Sequence, residues 1–260
     1  MILDEILAHK RREVEARKRA RPQAELERAI ASQPRGFADV LKRSPDVAII
    51  AEIKRRSPSG GELRPAASAA ELGTVYAAGG AAALSVLTDA RHFGGNDADL
   101  VGARETSGLP VLRKDFLLDA YQLYESRALG ADAVLLIVRA LPPADLARFI
   151  ALATELGLDA LVETHSATEV EVALEAGARV VGVNNRDLDT LVTDPLLALR
   201  LRRLVPADHV FVAESGVSHP AQLVRLAQAG VDAVLIGEAL VRAADPGAKL
   251  RELTAVGTAP

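Results

Sequence analysis

Apolar residues concentrate in eight short runs along the chain, and each run is followed by a stretch with helical periodicity. Most runs are almost continuous in Ala, Val, Leu and Ile, which is typical of strands in a parallel sheet covered on both faces. The runs are 47–54, 82–88, 110–116, 133–139, 159–164, 180–184, 209–215 and 233–237. Eight consecutive strand–helix units predict an α/β fold, namely a (β/α)₈ TIM barrel.

A Gly-x-Asp-Ala pattern occurs at three of the junctions between a predicted helix and the next strand. The glycine is expected to take left-handed backbone dihedrals where the helix ends. The aspartates of this pattern, Asp132, Asp159 and Asp232, then lie at the N-terminal end of the barrel. Because that end rarely carries chemistry, we expect these three carboxylates to stabilise the fold.

Residues 1–46 precede the repeating units and follow a different pattern. An apolar stripe at helical spacing is formed by Ile2, Leu3, Ile6, Leu7 and Val14. Pro22 ends or kinks this helix, and 24–31 predicts a second one. We expect 1–46 to be an N-terminal helical extension that forms one domain with the barrel at 47–255. It is either a solvated helix docked on the barrel or a flap that helps to cover a pocket.

Composition narrows the function without defining it. The chain has 260 residues, 49% of them hydrophobic, so it is long enough to bury a full barrel core. A formal net charge of −4 provides no global basic field that would favour nucleic acid. There are no cysteines and the five histidines lack metal-binding spacing, so we expect no metal and no thiolate nucleophile.

Targeting signals give a simple expectation. No apolar stretch approaches the roughly 20 residues that a membrane-spanning helix requires. The N-terminal segment lacks the apolar core and cleavage site of a signal peptide. We therefore expect a cytoplasmic protein without a membrane partner.

Strand alternation places ionisable side chains at the predicted mouth of the barrel. Glu52 and Lys54 share a strand face with Ala48 and Ile50, so all four are expected to point inward. Active sites of barrel enzymes are built at this end of the strands. A buried Glu and Lys side by side indicate either a structural ion pair or a functional one.

Lys114 and Glu163 end two further strands, and Lys114 is in phase with the inward-facing Leu112. We expect the neighbouring cation Lys54 to lower the pKa of Lys114 toward a range useful for acid catalysis, the alternative being a plain surface lysine. His165 follows the strand end without a visible partner and is expected to be structural or exposed.

Strand six ends at Asn184, which is in the inward phase, and Arg186 lies just beyond it. The guanidinium is a planar fork suited to a substrate carboxylate. The alternative is an ion pair with Asp187, Asp189 or another acid. Strand seven ends at Glu214, which we expect to join the same pocket.

The loops after the last two strands contain small residues. Barrels often hold a phosphate between these loops, on backbone N–H groups and a short helix N-terminus. The candidates are Ser215, Gly216, Gly237 and Glu238. Glycine at both loops therefore indicates phosphate binding, although ordinary turn glycines are the alternative.

The chain resembles the indole-3-glycerol phosphate synthase family over about residues 1–255. The resemblance rests on motifs in family order: AEIKRRSPS, GGAAALSVLTD, LPVLRKDF, YQLYESRALGADAVLLI, ALVETH, VGVNNRDL, AESGV and GVDAVLIGEAL. It implies a carbon–carbon lyase of tryptophan biosynthesis. The implied reaction converts 1-(2-carboxyphenylamino)-1-deoxyribulose 5-phosphate to indole-3-glycerol phosphate, with loss of CO₂ and water and without a cofactor.

The resemblance also implies catalytic roles. Lys114 matches the general acid that protonates a ketone during ring closure. Glu163 and Lys54 are the candidates for the acid and base of dehydration, and their division of work stays open. Glu52 and Asn184 would orient groups and hold the lysines charged, and Glu214 belongs to the same catalytic set.

Binding roles follow in the same way. Arg186 and Ser57 match positions near the substrate carboxylate or amine. Lys54 and the two glycine-containing loops match a phosphate grip. The residues suited to pack the aromatic ring are Phe116, Leu135, Pro58 and Leu188. One departure is Gly60, where the family commonly has a lysine, so that loop is expected to be less cationic.

Two other functions compete with this one. Phosphoribosylanthranilate isomerase is also a phosphate-binding barrel enzyme, but it would predict a Cys/Asp acid–base pair and no N-terminal extension. A non-catalytic barrel would predict loss of at least one inward Lys or Glu, and none is missing. The expected partner is a small phosphorylated substrate, with no nucleic acid, and the expected assembly is a monomer or weak homodimer.

Overall fold

The computed structural model describes residues 2–57, 61–62, 68–187 and 189–255. The strands of this part are β1 (Ala48–Ile53), β2 (Arg56–Ser57), β3 (Gly61–Glu62), β4 (Ala83–Leu87), β5 (Val111–Lys114), β6 (Ala133–Ile137), β7 (Asp159–Thr164), β8 (Val180–Asn184), β9 (Val210–Glu214) and β10 (Ala233–Ile236). Eight of them close into a parallel barrel in the order β1-β10-β9-β8-β7-β6-β5-β4. The predicted (β/α)₈ barrel is confirmed.

Each of the eight apolar runs contains one barrel strand, and the largest difference lies in run 110–116. The strand ends at Lys114 because Asp115 turns out of the sheet. Its Oδ1 accepts a hydrogen bond from the backbone N–H of Phe116, and its Oδ2 accepts one from Thr88 Oγ1, both at 2.8 Å. The antiparallel pair β2–β3 was not predicted, since two-residue strands carry no periodicity.

Helices follow the strands around the barrel. Those in the described residues are α1 (Ile2–Ala20), α2 (Gln23–Ala29), α3 (Phe37–Arg43), α4 (Ala69–Ala78), α5 (Ala90–Phe93), α6 (Asp97–Ser107), α7 (Tyr121–Ala128), α8 (Pro143–Glu155), α9 (Ala167–Glu175), α10 (Leu197–Leu201), α11 (Pro220–Gln228), α12 (Glu238–Val241) and α13 (Pro246–Thr254), with 3₁₀ turns at Val138–Ala140 and Arg202–Leu204. Gly130, Gly157 and Gly230 have φ of 87°, 73° and 77°, which confirms the left-handed helix ends. Within these residues, no helix combines the length and apolarity needed to cross a membrane.

Alternation along the strands creates two layers of core. Ile50, Leu112 and Leu161 fill the barrel interior, whereas Ile49 and Val162 face the surrounding helices. The next inward positions along each strand lie at its C-terminal end. Polar side chains at those positions therefore lie at the mouth of the barrel, where the buried strands hold them in place.

Helix α3 closes the N-terminal end of the barrel and was not predicted from the sequence. Gly36 begins the turn into it with φ of 65°. Phe37 and Leu41 are buried and pack against the barrel interior. A seven-residue helix has little stability of its own, so burial of these two side chains decides whether it forms.

The three Gly-x-Asp-Ala aspartates join the N-terminal segment to the barrel. Asp132 Oδ1 accepts a hydrogen bond from the backbone N–H of Arg35, and Asp159 Oδ2 accepts one from that of Ala38, both at 2.8 Å. Asp232 Oδ1 pairs with Lys42 Nζ, also at 2.8 Å. These contacts support the stabilising role expected for this end of the barrel.

Helix α1 contacts the opposite, C-terminal end of the barrel. Leu3 and Ile6 pack in the same apolar cluster as residues of the barrel interior. Lys10 is only 1% exposed, and its Nζ lies 2.9 Å from Asp89 Oδ2 and 2.8 Å from Asp115 Oδ1. The extension therefore contacts both ends of the barrel.

Candidate active site

A cavity of about 410 Å³ opens at the C-terminal ends of the barrel strands. The predicted site residues on its wall are Glu52, Lys54, Phe116, Lys114, Leu135, Glu163, Asn184, Arg186, Ser215, Gly216, Gly237 and Glu238. The side chain of Ser57, together with Pro58, Gly60 and Leu188, lies outside the described part of the chain. The barrel thus brings residues that are far apart in sequence to one cavity.

Glu52 and Lys54 form a direct ion pair inside the barrel mouth. Lys54 Nζ lies 2.7 Å from Glu52 Oε1, as strand alternation predicts. Burial raises the pKa of Glu52, but the charges of Lys54 and Lys114 outweigh that effect and hold the pKa below its usual range. Glu52 is therefore an ionised carboxylate between two lysines.

Lys114 lies among three carboxylates. Its Nζ is 2.7 Å from Glu214 Oε2, 3.7 Å from Glu163 Oε2 and 3.9 Å from Glu52 Oε2. Burial lowers the pKa of Lys114, but the three negative charges outweigh burial and raise it above its usual range. The expectation that Lys54 would lower this pKa is wrong, because the carboxylates lie closest to Lys114.

Glu214 is 1% exposed and is not among the residues that line the cavity. Its Oε1 has no hydrogen-bond partner in the described part of the chain, and it lies against Gly182 of β8, where a Cβ would overlap it. Burial and the charge of Glu163 raise the pKa of Glu214 to about 7, although Lys114 opposes them. Glu214 therefore forms its ion pair with Lys114 from inside the barrel, without lining the cavity.

Glu163 divides its two oxygens between two partners. Oε2 faces Lys114, and Oε1 lies 3.4 Å from Nε2 of His165. The His165 side chain is only 4% exposed, so of the two expectations, structural or exposed, the exposed one does not hold and the structural one fits. The missed signal was phase, since residues 161, 163 and 165 alternate to the same side of the strand.

Asn184 is held at the end of β8 by its neighbours. Its Oδ1 accepts hydrogen bonds from Ser215 Oγ at 2.8 Å and from the backbone N–H of Arg186 at 3.0 Å. Ser215 has φ of 66°, a strained conformation for a residue other than glycine, and its carbonyl accepts a hydrogen bond from Asn185 Nδ2. These bonds fix the loop that carries Ser215 and Gly216.

Arg186 pairs with Glu238 across the rim of the cavity. Its Nη2 lies 3.1 Å from Glu238 Oε2, while Glu238 Oε1 accepts a hydrogen bond from Arg242 Nε at 2.9 Å. Arg186 thus forms an ion pair with another acid, Glu238, and its contact with a substrate carboxylate stays a prediction. Asp187 and Asp189 instead lie near Arg139, at 3.9 and 3.5 Å.

One wall of the cavity is apolar. The rings of Phe116 and Phe93 lie 6.2 Å apart between centroids, and Leu135 lines the same cavity. Leu3 and Ile6 of α1 line it too, which favours the flap interpretation of the extension. Phe93 was not predicted as a site residue, because it lies on helix α5, whose four residues are too few to show an apolar face.

A closed parallel barrel whose strand ends bring lysines and glutamates to one cavity has the architecture of an enzyme of the (β/α)₈ class. Among the described residues, no group of three or more His, Asp or Glu side chains is arranged to hold a metal ion. The profile of the indole-3-glycerol phosphate synthase family matches residues 3–253. The chain belongs to this family.

Relatives support the same assignment. An indole-3-glycerol phosphate synthase from Kineococcus radiotolerans is 49% identical, over 100% of this chain and 97% of the relative. One from Laribacter hongkongensis is 47% identical, over 98% and 99%. The activity is accordingly that of a decarboxylating carbon–carbon lyase of tryptophan biosynthesis, which converts 1-(2-carboxyphenylamino)-1-deoxyribulose 5-phosphate to indole-3-glycerol phosphate.

Solved structures of other proteins show the same fold. A thiamine phosphate pyrophosphorylase from Pyrococcus furiosus aligns with a TM-score of 0.60 at 17% identity, covering 81% of this chain and 95% of its own. A structure titled native KDPGal aligns with a TM-score of 0.56 at 20% identity, covering 83% and 93%. At these identities the likeness concerns the fold alone, and function rests on the family.

Proposed function

We propose that Lys114 is the general acid of ring closure in this enzyme. The observation that carries the proposal is the position of its Nζ, on the cavity wall and within 4 Å of Glu214, Glu163 and Glu52. The three carboxylates keep the ammonium group charged, so a proton is available at neutral pH. Glu52 and Glu214 orient the ammonium group and stay fixed themselves.

The first step forms a carbon–carbon bond. The ring carbon that bears the carboxylate attacks the ketone carbon of the sugar chain, and the ketone oxygen takes the proton of Lys114. The bond to the carboxylate then breaks, CO₂ leaves, and the electron pair returns to the positively charged ring nitrogen. A charged acid beside the developing alkoxide lowers the barrier of ring closure.

Dehydration completes the reaction. The new hydroxyl leaves as water with a proton from an acid, while a base removes a proton from the adjacent carbon. Glu163 is the base in this proposal, and Lys54 is the acid. Support comes from their separate positions, since Lys54 pairs with Glu52 on β1 while Glu163 lies on β7.

Substrate binding uses the rest of the wall. The proposed phosphate site is formed by Ser215, Gly216, Gly237 and Glu238, with Lys54 adding charge. Asn184 holds the Ser215 loop through the bond to Ser215 Oγ. Phe116 and Leu135 provide apolar surface for the aromatic ring. Pro58 and Leu188 lie outside the described residues, and the same role stays a prediction for them. Arg186 and Ser57 are proposed to contact the substrate carboxylate or amine.

The division of work is tested with Glu163→Gln in single-turnover experiments that follow CO₂ release and indole formation separately. We expect indole formation to collapse while CO₂ release and substrate affinity change little, because ring closure precedes the step that needs the base. Equal slowing of both would place Glu163 at or before ring closure. A hydroxylated intermediate that has lost CO₂ should accumulate.

Three further proposals concern the whole chain. Residues 1–46 and 47–255 act as one domain in which α1 covers the cavity, as the positions of Leu3 and Ile6 support. The substrate is taken from the cytoplasm. A monomer or weak homodimer stays a prediction, which light scattering over a range of protein concentrations would check.

A further inference from the structure

The ring of His165 occupies the space between two carboxylates, one on β7 and one on α9. Nε2 lies 3.4 Å from Oε1 of Glu163, and Nδ1 lies 3.3 Å from Oε2 of Glu169. The backbone N–H of His165 donates to the same Glu169 oxygen at 2.8 Å. The ring is thus fixed on one side and faces a proposed catalytic group on the other.

This arrangement defines the protonation of the ring. An ionised carboxylate is only an acceptor, so a nitrogen that faces one must carry a proton. Nδ1 of His165 lies within hydrogen-bond distance of Glu169, whereas Nε2 lies 3.4 Å from Glu163 Oε1 without hydrogen-bond geometry. The contact with Glu163 is therefore an ion-pair contact, which requires the ring to be an imidazolium. Burial lowers the pKa of His165, but Glu169 and Glu163 outweigh burial and raise it.

The charges around the ring come from several elements. Glu214 of β9 adds a third negative charge, and Lys114 lies on the far side of Glu163. Arg139 Nε lies 3.3 Å from Oε1 of Glu169, so that carboxylate is held between two cations. Glu169 therefore anchors the imidazolium, and Glu163 remains free to meet both His165 and Lys114.

We propose that His165 is a positioning residue for this reaction: as an imidazolium anchored by Glu169, it holds the Glu163 carboxylate in place and directs its second oxygen toward Lys114. The proposal rests on the role of Glu163 in dehydration proposed above. A base must be both ionised and correctly placed before it accepts a proton. A fixed positive charge beside the outer oxygen provides the placement, because it removes one rotational freedom of the Glu163 carboxylate.

The test compares His165→Gln and His165→Leu with the unmodified enzyme. Glutamine keeps a donor for Glu163 but carries no charge, whereas leucine removes both. We expect kcat to fall about 10-fold in His165→Gln and about 100-fold in His165→Leu, part of the roughly 10²–10⁴-fold that a positioned acid or base contributes. KM should stay within about 2-fold, since His165 does not line the cavity.

The pH profile separates this role from a structural one. In the unmodified enzyme, kcat should fall where the imidazolium loses its proton, above the usual pKa of histidine, because Glu169 and Glu163 outweigh burial and raise the pKa of His165. This dependence should be absent in His165→Gln. The matched control is His209→Gln, because His209 also pairs with a carboxylate, that of Asp208, but lies at the start of β9. The control should keep the kcat and the pH profile of the unmodified enzyme.

Two further measurements distinguish the role of His165 from the proposed role of Glu163. If His165 acts through Glu163, His165→Gln should cause no further loss of kcat in a Glu163→Gln background. Loss of kcat in Glu163→Gln combined with normal kcat and pH profile in His165→Leu would overturn the inference alone. Normal kcat in Glu163→Gln would overturn the proposed role of Glu163 itself.

The unmodified enzyme provides a test that does not depend on how the variants fold. ¹⁵N NMR of the His165 ring should show both nitrogens protonated at pH 7. A neutral ring at that pH would overturn the proposal, because a neutral imidazole presents an acceptor to one of the two carboxylates.

Discussion

Gly237 and Glu52 occupy adjoining space at the mouth of the barrel. A Cβ built on Gly237 would overlap Oε1 of Glu52 and would lie 3.0 Å from Lys54 Nζ. The neighbours are paired through the register of β1 with β10, in which Ala51 lies opposite Ile236. The absence of a side chain at position 237 therefore makes room for the Glu52–Lys54 pair, independently of the proposed role of Gly237 in phosphate binding.

Gly237→Ala should consequently change kcat as well as KM. The added methyl group displaces the carboxylate of Glu52, so we expect kcat to fall at least about 10-fold, a part of the roughly 10²–10⁴-fold that a positioned acid or base contributes. Indole fluorescence measured against substrate concentration gives both constants. Gly102→Ala is the control, because its Cβ meets only Ala70, at ordinary contact distance. A rise in KM with unchanged kcat would assign Gly237 to phosphate binding alone.

Lys114→Ala should remove the acid of ring closure. We expect kcat to fall by about 10²–10⁴-fold, the range for a positioned general acid, with the fold intact by circular dichroism. Lys249→Ala removes a surface lysine that pairs with Glu252 on α13, and it should keep normal kcat. Near-normal kcat in Lys114→Ala would reject the assignment.

Glu214 should make the stability of the enzyme depend on pH. Its pKa is raised from 4.5 to about 7 in the folded state, so its contribution is fully present below pH 4.5 and is lost as pH rises through about 7. Glu214→Gln stays neutral at every pH. The difference in unfolding free energy between Glu214→Gln and the unmodified enzyme should therefore change with pH. Between pH 4.5 and 7 it should shift in favour of the variant by on the order of 3 kcal/mol.

Urea unfolding at several pH values measures this difference. Glu171→Gln, at an exposed position of α9, should show no comparable change with pH. A constant difference between Glu214→Gln and the unmodified enzyme across this window would show that Glu214 is ionised throughout.

Lys10→Met should loosen α1 from the barrel. Lys10 Nζ also lies 3.1 Å from Glu13, so the variant leaves Asp89 and Asp115 buried without their common cation. Breaking such a buried ion pair costs about 3–5 kcal/mol. Because α1 carries Leu3 and Ile6 to the cavity wall, KM should rise as well.

Lys18→Met provides the matched control on the same helix. Lys18 pairs with Glu15 and Asp119 but is about a third exposed, so its loss should cost roughly 0–1 kcal/mol. Thermal unfolding and KM are measured for both variants and compared with those of the unmodified enzyme. Equal losses of stability and equal changes of KM in the two variants would show that Lys10 does not hold α1 on the barrel more strongly than Lys18 does.

A phosphate or sulfate soaked into crystals should bind near Gly216 and Gly237. Both residues line the cavity just beyond the ends of β9 and β10. Barrels often bind a phosphate at these two loops through backbone N–H groups. Crystals of the Gly237→Ala variant provide a comparison under the same conditions. An anion found only at the N-terminal end of the barrel would contradict the proposed phosphate site.

Much of this fold and site follows from local rules that act along one chain segment. Apolar continuity marked all eight barrel strands, because strands buried on both faces need apolar side chains throughout. Strand alternation correctly turned Glu52, Lys114 and Glu163 toward the cavity, because successive side chains point to opposite faces. Family motifs then indicated the reaction, and the family match bears that out.

Other features were decided only when the strands closed into a barrel. Alternation predicts the direction of Lys114 but not which side chains surround it, so the shift of its pKa was predicted with the wrong sign. The barrel partners of Lys10, Asp89 and Asp115, were equally out of reach, since they lie far along the chain on other segments. Helix α3 formed because the open barrel end buries its apolar residues. Hydrophobic periodicity is a property of a single chain segment. The burial and the electrostatic surroundings of a side chain depend on every segment packed near it, and only the tertiary structure decides which segments those are.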